Sequence, residues 1–193
     1  DVYSMGRQNW LGGVGAEHRH VREAVGVFDQ SSFAKYEVTG RDAMAALDRI
    51  AAGDVTKEPG RLTYTQMLNT RGGIECDLTV ARLDQDRFYI VTGTGFRTHD
   101  YGWIADHLTG DARIDDVTED WGVLSLMGPR ARDVLARVTE ADVSNAGFPF
   151  GHVRGVGIAG VTVRALRVTY VGELGWELHV PIAGLGAVYD ALI

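Results

Sequence analysis

A gapless internal repeat constrains the fold of this chain more than any other feature. Residues 36–55 (YEVTGRDAMAALDRIAAGDV) align with residues 124–143 (LSLMGPRARDVLARVTEADV), and identical residues recur at matched places, such as Gly40 with Gly128 and Leu47 with Leu135. Each copy predicts a short strand, a glycine turn and a helix, because its apolar residues recur at helical spacing. The repeat period is too long for a solenoid.

Two strand–helix units separated by other sequence predict a split βαβ, ferredoxin-like domain with a second α+β domain inserted into it. The expected first domain comprises residues 1–55 and 121–193, and the insert comprises residues 56–120. Further strands are expected at 87–92, 161–166, 168–171 and 176–180, and a helix at 98–108. The fold class is therefore α+β, mostly antiparallel.

The insert contains a hairpin with one unusual acid. A strand carrying Tyr64 leads into the turn residues 69–73 (NTRGG), and a second strand carries Asp77 ahead of apolar residues. The turn chemistry predicts a hairpin that brings Tyr64 and Asp77 close together. Strands disfavour Asp and burial penalises its charge, so Asp77 is a candidate site residue. An edge-strand carboxylate bonded to turn amides is the structural alternative.

Composition excludes several function classes. The net charge is −7, which argues against non-specific nucleic-acid binding. The apolar runs are too short for a transmembrane helix. Cys76 is the single cysteine, so no disulfide and no Cys-based zinc or iron–sulfur site is expected, and a reducing compartment is favoured. The six histidines are scattered, and no metal site is predicted.

One segment matches the dinucleotide-binding motif in sequence but not in its predicted structural context. Residues 155–160 read GVGIAG, but a β-branched run follows where a helix would have to begin. A dinucleotide site needs that helix N-terminus to face the pyrophosphate, so the segment is interpreted as a hairpin turn.

Three segments together resemble a known family: FDQSSFAKYEVTG (28–40), YTQMLNTRGGIECDLTV (64–80) and YVGELGWELH (170–179). They resemble the folate-binding aminomethyltransferase family of the glycine-cleavage T-protein, and especially the C-terminal folate module of dimethylglycine and sarcosine dehydrogenases or oxidases. The resemblance implies a three-domain clover around tetrahydrofolate, of which this chain covers two domains. The C-terminal barrel and the upstream FAD module are expected to lie outside the chain, whose irregular start and mid-helix end suggest a piece of a longer polypeptide.

The resemblance also assigns site residues by position. Asp77 matches the catalytic acid that faces the folate reaction centre, and Glu173 matches the carboxylate that binds the amino and N–H edge of the pterin, a bidentate pairing. Other folate-binding positions are Phe33, Tyr64, Val91 and Tyr170. Cys76 stands where many T-proteins have an acid, so Asp77 is expected to act without an adjacent carboxylate.

The implied chemistry is one-carbon transfer. An FAD-dependent oxidase module in the same polypeptide would oxidise an N-methyl amine to an iminium, and tetrahydrofolate would capture its carbon as 5,10-methylenetetrahydrofolate. A folate-holding module without chemistry and a regulatory relative are the alternatives. A local cationic group, such as Arg71 or Arg97, or the C-terminal barrel outside this chain is expected to offset the anionic folate tail. Nucleic-acid and membrane partners are not expected. The expected location is the bacterial cytoplasm, or the mitochondrial matrix in a eukaryote.

Overall fold

The computed structural model describes residues 2–170 and 174–193. In this part of the chain the helices are α1 (Leu11–Glu23), α2 (Ala43–Ile50), α3 (Arg97–His107), α4 (Ala131–Val138) and α5 (Leu185–Leu192). The strands are β1 (Gly26–Asp29), β2 (Ala34–Thr39), β3 (Leu62–Leu68), β4 (Ile74–Arg82), β5 (Arg87–Thr92), β6 (Arg113–Asp116), β7 (Trp121–Met127), β8 (Val153–Ile158), β9 (Val161–Leu166) and β10 (Gly175–Pro181). None of the described helices has the length and apolar character that crossing a bilayer requires.

The strands form two antiparallel sheets. The first sheet has the order β1-β7-β10-β9-β8, and the second has the order β3-β4-β5-β2-β6. The α+β, mostly antiparallel class predicted from the sequence is therefore confirmed. The GVGIAG segment lies at the β8–β9 hairpin, with Ala159 (φ 49°) and Gly160 (φ 77°) at its tip, so the hairpin interpretation holds.

Both copies of the repeat form the predicted strand, glycine turn and helix. Gly40 (φ 123°) and Gly128 (φ 129°) end β2 and β7 in a backbone conformation that side chains rarely adopt. A Cβ at either position would lie 2.5 Å from a backbone oxygen, that of Asp111 or Ala24 respectively. The helices that follow, α2 and α4, are both eight residues long.

The two copies lie in different sheets. β2 pairs with β5 and β6, whereas β7 pairs with β1 and β10. The two sheets correspond strand for strand, with β3-β4-β5-β2-β6 matching β8-β9-β10-β7-β1. β1, from the start of the chain, therefore occupies in the first sheet the edge position that β6 occupies in the second.

β2 lies in the expected first domain, residues 1–55 and 121–193, but it pairs with β5 and β6, which lie within residues 56–120. The repeat determines local structure, because helical and strand periodicity are properties of neighbouring residues. Which strands pair depends on partners far along the chain, and periodicity does not report them. The domain boundaries themselves remain a prediction.

The elements pack in four layers. One buried cluster lies between the first sheet and α4 and α5, and a second lies between the other sheet and α2 and α3. A third cluster joins the sheets face to face, with Tyr89 and Val91 from β5 meeting Val153 and Leu166 from β8 and β9. Alternate residues of each strand therefore face either the helices or the opposite sheet.

Candidate functional site

A cleft of about 590 Å³ opens where the two sheets face each other. It is lined from one side by residues of β3, β4 and β5, and from the other by residues 168–170 and by Glu177 of β10. The lining residues are Gln30, Phe33, Tyr64, Asp77, Leu78, Thr79, Val91, Thr92, Gly93, Phe150, Val168, Thr169, Tyr170 and Glu177. Five of the six site residues predicted from the sequence therefore lie together in one cleft.

The β3–β4 hairpin places Asp77 on the cleft wall. In its turn, the Asn69 side-chain oxygen accepts hydrogen bonds from the backbone N–H groups of Arg71 (2.9 Å) and Gly73 (3.0 Å). Gly72 adopts φ 79°, which the turn requires. The predicted hairpin is confirmed, and it is Asn69 that binds the turn amides. The structural alternative, in which the Asp77 carboxylate binds the turn amides, is therefore not what the structure shows.

Asp77 is exposed to the cleft, while its neighbours on β4, Cys76 and Leu78, point into the core behind the sheet. Its carboxylate accepts a hydrogen bond of 2.9 Å from Nε2 of Gln66, the residue directly opposite on β3. Tyr64 lies diagonally across the ladder, and its interaction with the Asp77 carboxylate raises the pKa of Tyr64. Alternation along the strand explains how an acid fits there without burial of its charge.

Aromatic and apolar side chains form much of the remaining surface of the cleft. Tyr64 is 68% exposed, Tyr170 is 91% exposed and Phe150 is 65% exposed, whereas Val91 is buried at the base. Exposed aromatic side chains grouped in one cleft indicate a surface that binds a flat, partly apolar ligand.

Glu173, predicted to bind the pterin edge, lies outside the described residues. Glu177, which was not predicted as a site residue, lines the cleft from β10. The same signal that identified Asp77 is present there, because Glu177 is a single acid between Trp176 and Leu178 on an apolar strand. Trp176 and Leu178 point into the core of the first sheet, which turns Glu177 towards the second sheet.

Glu177 contacts a buried histidine, His179, on the same strand. Nε2 of His179 lies 3.4 Å from Oε2 of Glu177, and Nδ1 of His179 lies 2.9 Å from the hydroxyl of Tyr89. Burial lowers the pKa of His179, so the ring is neutral. If the tyrosine hydroxyl donates to Nδ1, the ring proton is on Nε2 and points at Glu177.

Arg164 connects the two sheets beside this network. Its guanidinium lies 4.2 Å from the centre of the Tyr89 ring and 4.3 Å from that of Trp121. It also pairs with Glu37 of β2 at 3.2 Å, and both side chains are mostly buried. This contact of β9 with β2 and β5 fixes the spacing of the sheets next to the cleft.

Arg97, expected as a cation for a folate tail, is already paired. Its guanidinium lies 2.7 Å from Asp116 and 2.6 Å from Glu119. Its charge is therefore balanced within the protein.

Comparison with known proteins gives the family. The sequence model described as "GCVT N-terminal domain" matches residues 1–193. The chain belongs to this family. It is 40% identical to human mitochondrial sarcosine dehydrogenase over 188 residues, which is 89% of this chain and 20% of that protein. It is 35% identical to human mitochondrial dimethylglycine dehydrogenase over 193 residues, 98% of this chain and 22% of that protein.

This GCVT N-terminal domain thus spans about a fifth of the length of these two relatives. Its structure resembles the glycine cleavage system aminomethyltransferase T of Bartonella henselae, with a TM-score of 0.80 and 27% sequence identity, over 92% of this chain and 47% of that one. The family resemblance inferred from the three sequence segments is confirmed.

Proposed function

We propose that the cleft binds tetrahydrofolate and that this domain transfers a one-carbon unit to it, forming 5,10-methylenetetrahydrofolate. The observation that carries the proposal is the cleft itself, in which carboxylates from both sheets, Asp77 and Glu177, face a space lined by aromatic side chains. Family membership and the relatives named as sarcosine and dimethylglycine dehydrogenases support the same reaction.

The folate would be held by its pterin ring. Phe33, Tyr64 and Tyr170 supply aromatic surface, and Val91 supplies the apolar base. A carboxylate that accepts from both the amino group and the ring N–H of the pterin gives a paired, charge-assisted contact. Glu177 is the described glutamate in the cleft, so it joins Glu173 as a candidate for this role.

Asp77 would orient the reacting nitrogen and assist proton transfer. N5 of the folate donates its electron pair to the iminium carbon and loses its proton. The former amine nitrogen then takes a proton and leaves, and N10 of the folate bonds the same carbon and releases its own proton. A carboxylate placed beside N5 can hold the proton that N5 releases. Holding the iminium and N5 together away from water supplies further acceleration.

The iminium would come from an N-methyl amine of the dimethylglycine or sarcosine type. An FAD-dependent oxidase module of the same polypeptide is the proposed source, and FAD would bind there rather than in this domain. The mitochondrial relatives support the matrix as the location in a eukaryote.

Methylene transfer by an Asp77→Asn variant tests the catalytic role. At saturating tetrahydrofolate, general acid–base assistance predicts a transfer rate lower by about 10²–10⁴-fold, while folate affinity falls much less. Asp106→Asn, an exposed acid on α3 away from the cleft, is the matched control and should transfer at the wild-type rate. An unchanged rate in Asp77→Asn would contradict catalysis and support the folate-holding alternative.

A further inference from the structure

We propose that Cys76, His99 and Asp100 form a binding site for a divalent transition metal such as Zn²⁺, on the far side of β4 from the cleft. Their ligand atoms, one each of sulfur, nitrogen and oxygen, all lie within 4.8 Å of one another. This site is separate from folate binding and does not depend on it. It also differs from the sequence-based expectation that no metal site is present.

Two elements bring these residues together. Cys76 points from β4 into the core of the second sheet, and His99 and Asp100 lie in the first turn of α3, which packs on that strand. Periodicity within either element could not reveal this meeting, because α3 follows β4 only after β5. Cys76 therefore lies close in space to two other candidate metal ligands, His99 and Asp100, that are distant from it in sequence.

The donor set suits zinc. Thiolate, imidazole and carboxylate are the ligands that Zn²⁺ takes in proteins, and three of them leave a fourth position for water. Cys76 and Asp100 are each 1% exposed, which shields the bound ion, whereas the His99 side chain is half exposed and gives the ion a route from solvent.

The groups around the ligands are those that orient metal ligands. Nδ1 of His99 lies 2.9 Å from Asp100, while Nε2, on the other side of the ring, lies 3.5 Å from Glu75. A carboxylate at the second ring nitrogen fixes the tautomer of a metal-bound histidine. Asn69 donates to Glu75 at 2.8 Å, so that carboxylate is itself held in place.

The carboxylate of Asp100 is oriented in the same way. Its Oδ2 accepts a hydrogen bond of 2.6 Å from the hydroxyl of Thr92, a residue of the cleft wall. Its Oδ1 remains on the side of His99. Binding of M²⁺ would release the Cys76 thiol proton to solvent and form a metal–sulfur bond, with no redox change. The ion would then join β4 to α3 behind Asp77, and the hydrogen bond from Thr92 to Asp100 would connect the site to β5.

Titration of the chain with Co²⁺ tests the proposal, because a cobalt–thiolate bond produces a charge-transfer absorption band. We expect the band in the wild-type protein and its disappearance when Zn²⁺ displaces Co²⁺. Cys76→Ser should abolish the band, and His99→Gln should weaken binding by at least about 10-fold. His107→Gln is the control, since His107 lies on the same helix but stacks on Trp103.

Circular dichroism of each variant confirms that it is folded before the titration is compared. A wild-type protein without the band would overturn the proposal. So would a band that persists in folded Cys76→Ser, because the thiolate would then not be a ligand. Zn²⁺ should also raise the unfolding temperature of the wild type and of His107→Gln, but not that of Cys76→Ser.

Discussion

Among single residues, Glu177 and Asp77 show that a single acid on an apolar strand can face a cleft while its neighbours are buried. Both lie where alternate positions face the opposite sheet, and their neighbours Cys76, Leu78, Trp176 and Leu178 face the cores behind. Asp77 was predicted from the sequence because it is a single acid on an otherwise apolar strand. Glu177 shows the same pattern, but only the packing of the two sheets shows that its face of β10 lines the same cleft.

His179 makes stability depend on pH. Burial lowers its pKa in the folded state, where it contacts Glu177 and Tyr89 and senses the charges of Lys35 and Arg164. The unfolded chain therefore binds a proton below a pKa of about 6.5 that the folded state does not bind, so stability falls as pH falls through that value.

His179→Gln should remove this contribution. Between pH 7.5 and 5.5 the free energy of unfolding of the wild type should fall by about 1 kcal/mol more than that of the variant. Urea unfolding at the two pH values measures the difference. An equal fall in both proteins would show that His179 is protonated without cost in the folded state.

At the scale of elements, the internal repeat correctly predicted the local structure of both of its copies. Helices α2 and α4 and the glycines before them follow from apolar spacing and turn chemistry, which are local. The hairpin around Asn69 followed for the same reason. The pairing of β2 with β5 rather than with a strand of the first sheet was not predictable, because it depends on which distant partner buries the opposite face of the strand.

Gly128→Ala tests the turn of the repeat. The new Cβ would lie 2.5 Å from the Ala24 backbone oxygen in a left-handed conformation, so the free energy of unfolding should fall by about 2–4 kcal/mol. Gly102→Ala, within α3 and with no atom within 4 Å of the added Cβ, should instead stabilise by about 0.5–1 kcal/mol. Urea denaturation compares them. If Gly128→Ala lost less than about 1 kcal/mol of unfolding free energy, the turn at Gly128 would not require glycine.

At the scale of the whole molecule, two related antiparallel sheets enclose the cleft, and Arg164 helps to set their distance. Arg164→Met should lower the free energy of unfolding by about 2–4 kcal/mol, since it removes the contacts with Tyr89 and Trp121 and a mostly buried partner of Glu37. Arg87 still pairs with Glu37 at 2.6 Å, which limits the loss.

Arg41→Met is the matched control. Arg41 pairs with Asp111 at 3.0 Å, but its side chain is 86% exposed, so solvent screens the pair and little stability should be lost. Chemical denaturation of both variants gives the comparison. An equal loss of unfolding free energy in the two variants would show that Arg164 stabilises the protein no more than an exposed ion pair does.

The measurement that tests the central claim most directly is calorimetric titration of this chain with the stable 5-formyl derivative of tetrahydrofolate. We predict saturable binding by the wild type and an affinity about 10–100-fold lower for Glu177→Gln, because a charge-assisted contact is lost. Glu58→Gln, an exposed acid outside the cleft lining, should bind as the wild type does. No saturable binding by the wild type would contradict the proposed folate site, and equal affinity in Glu177→Gln would exclude Glu177 from the pterin contact and assign that role to Glu173.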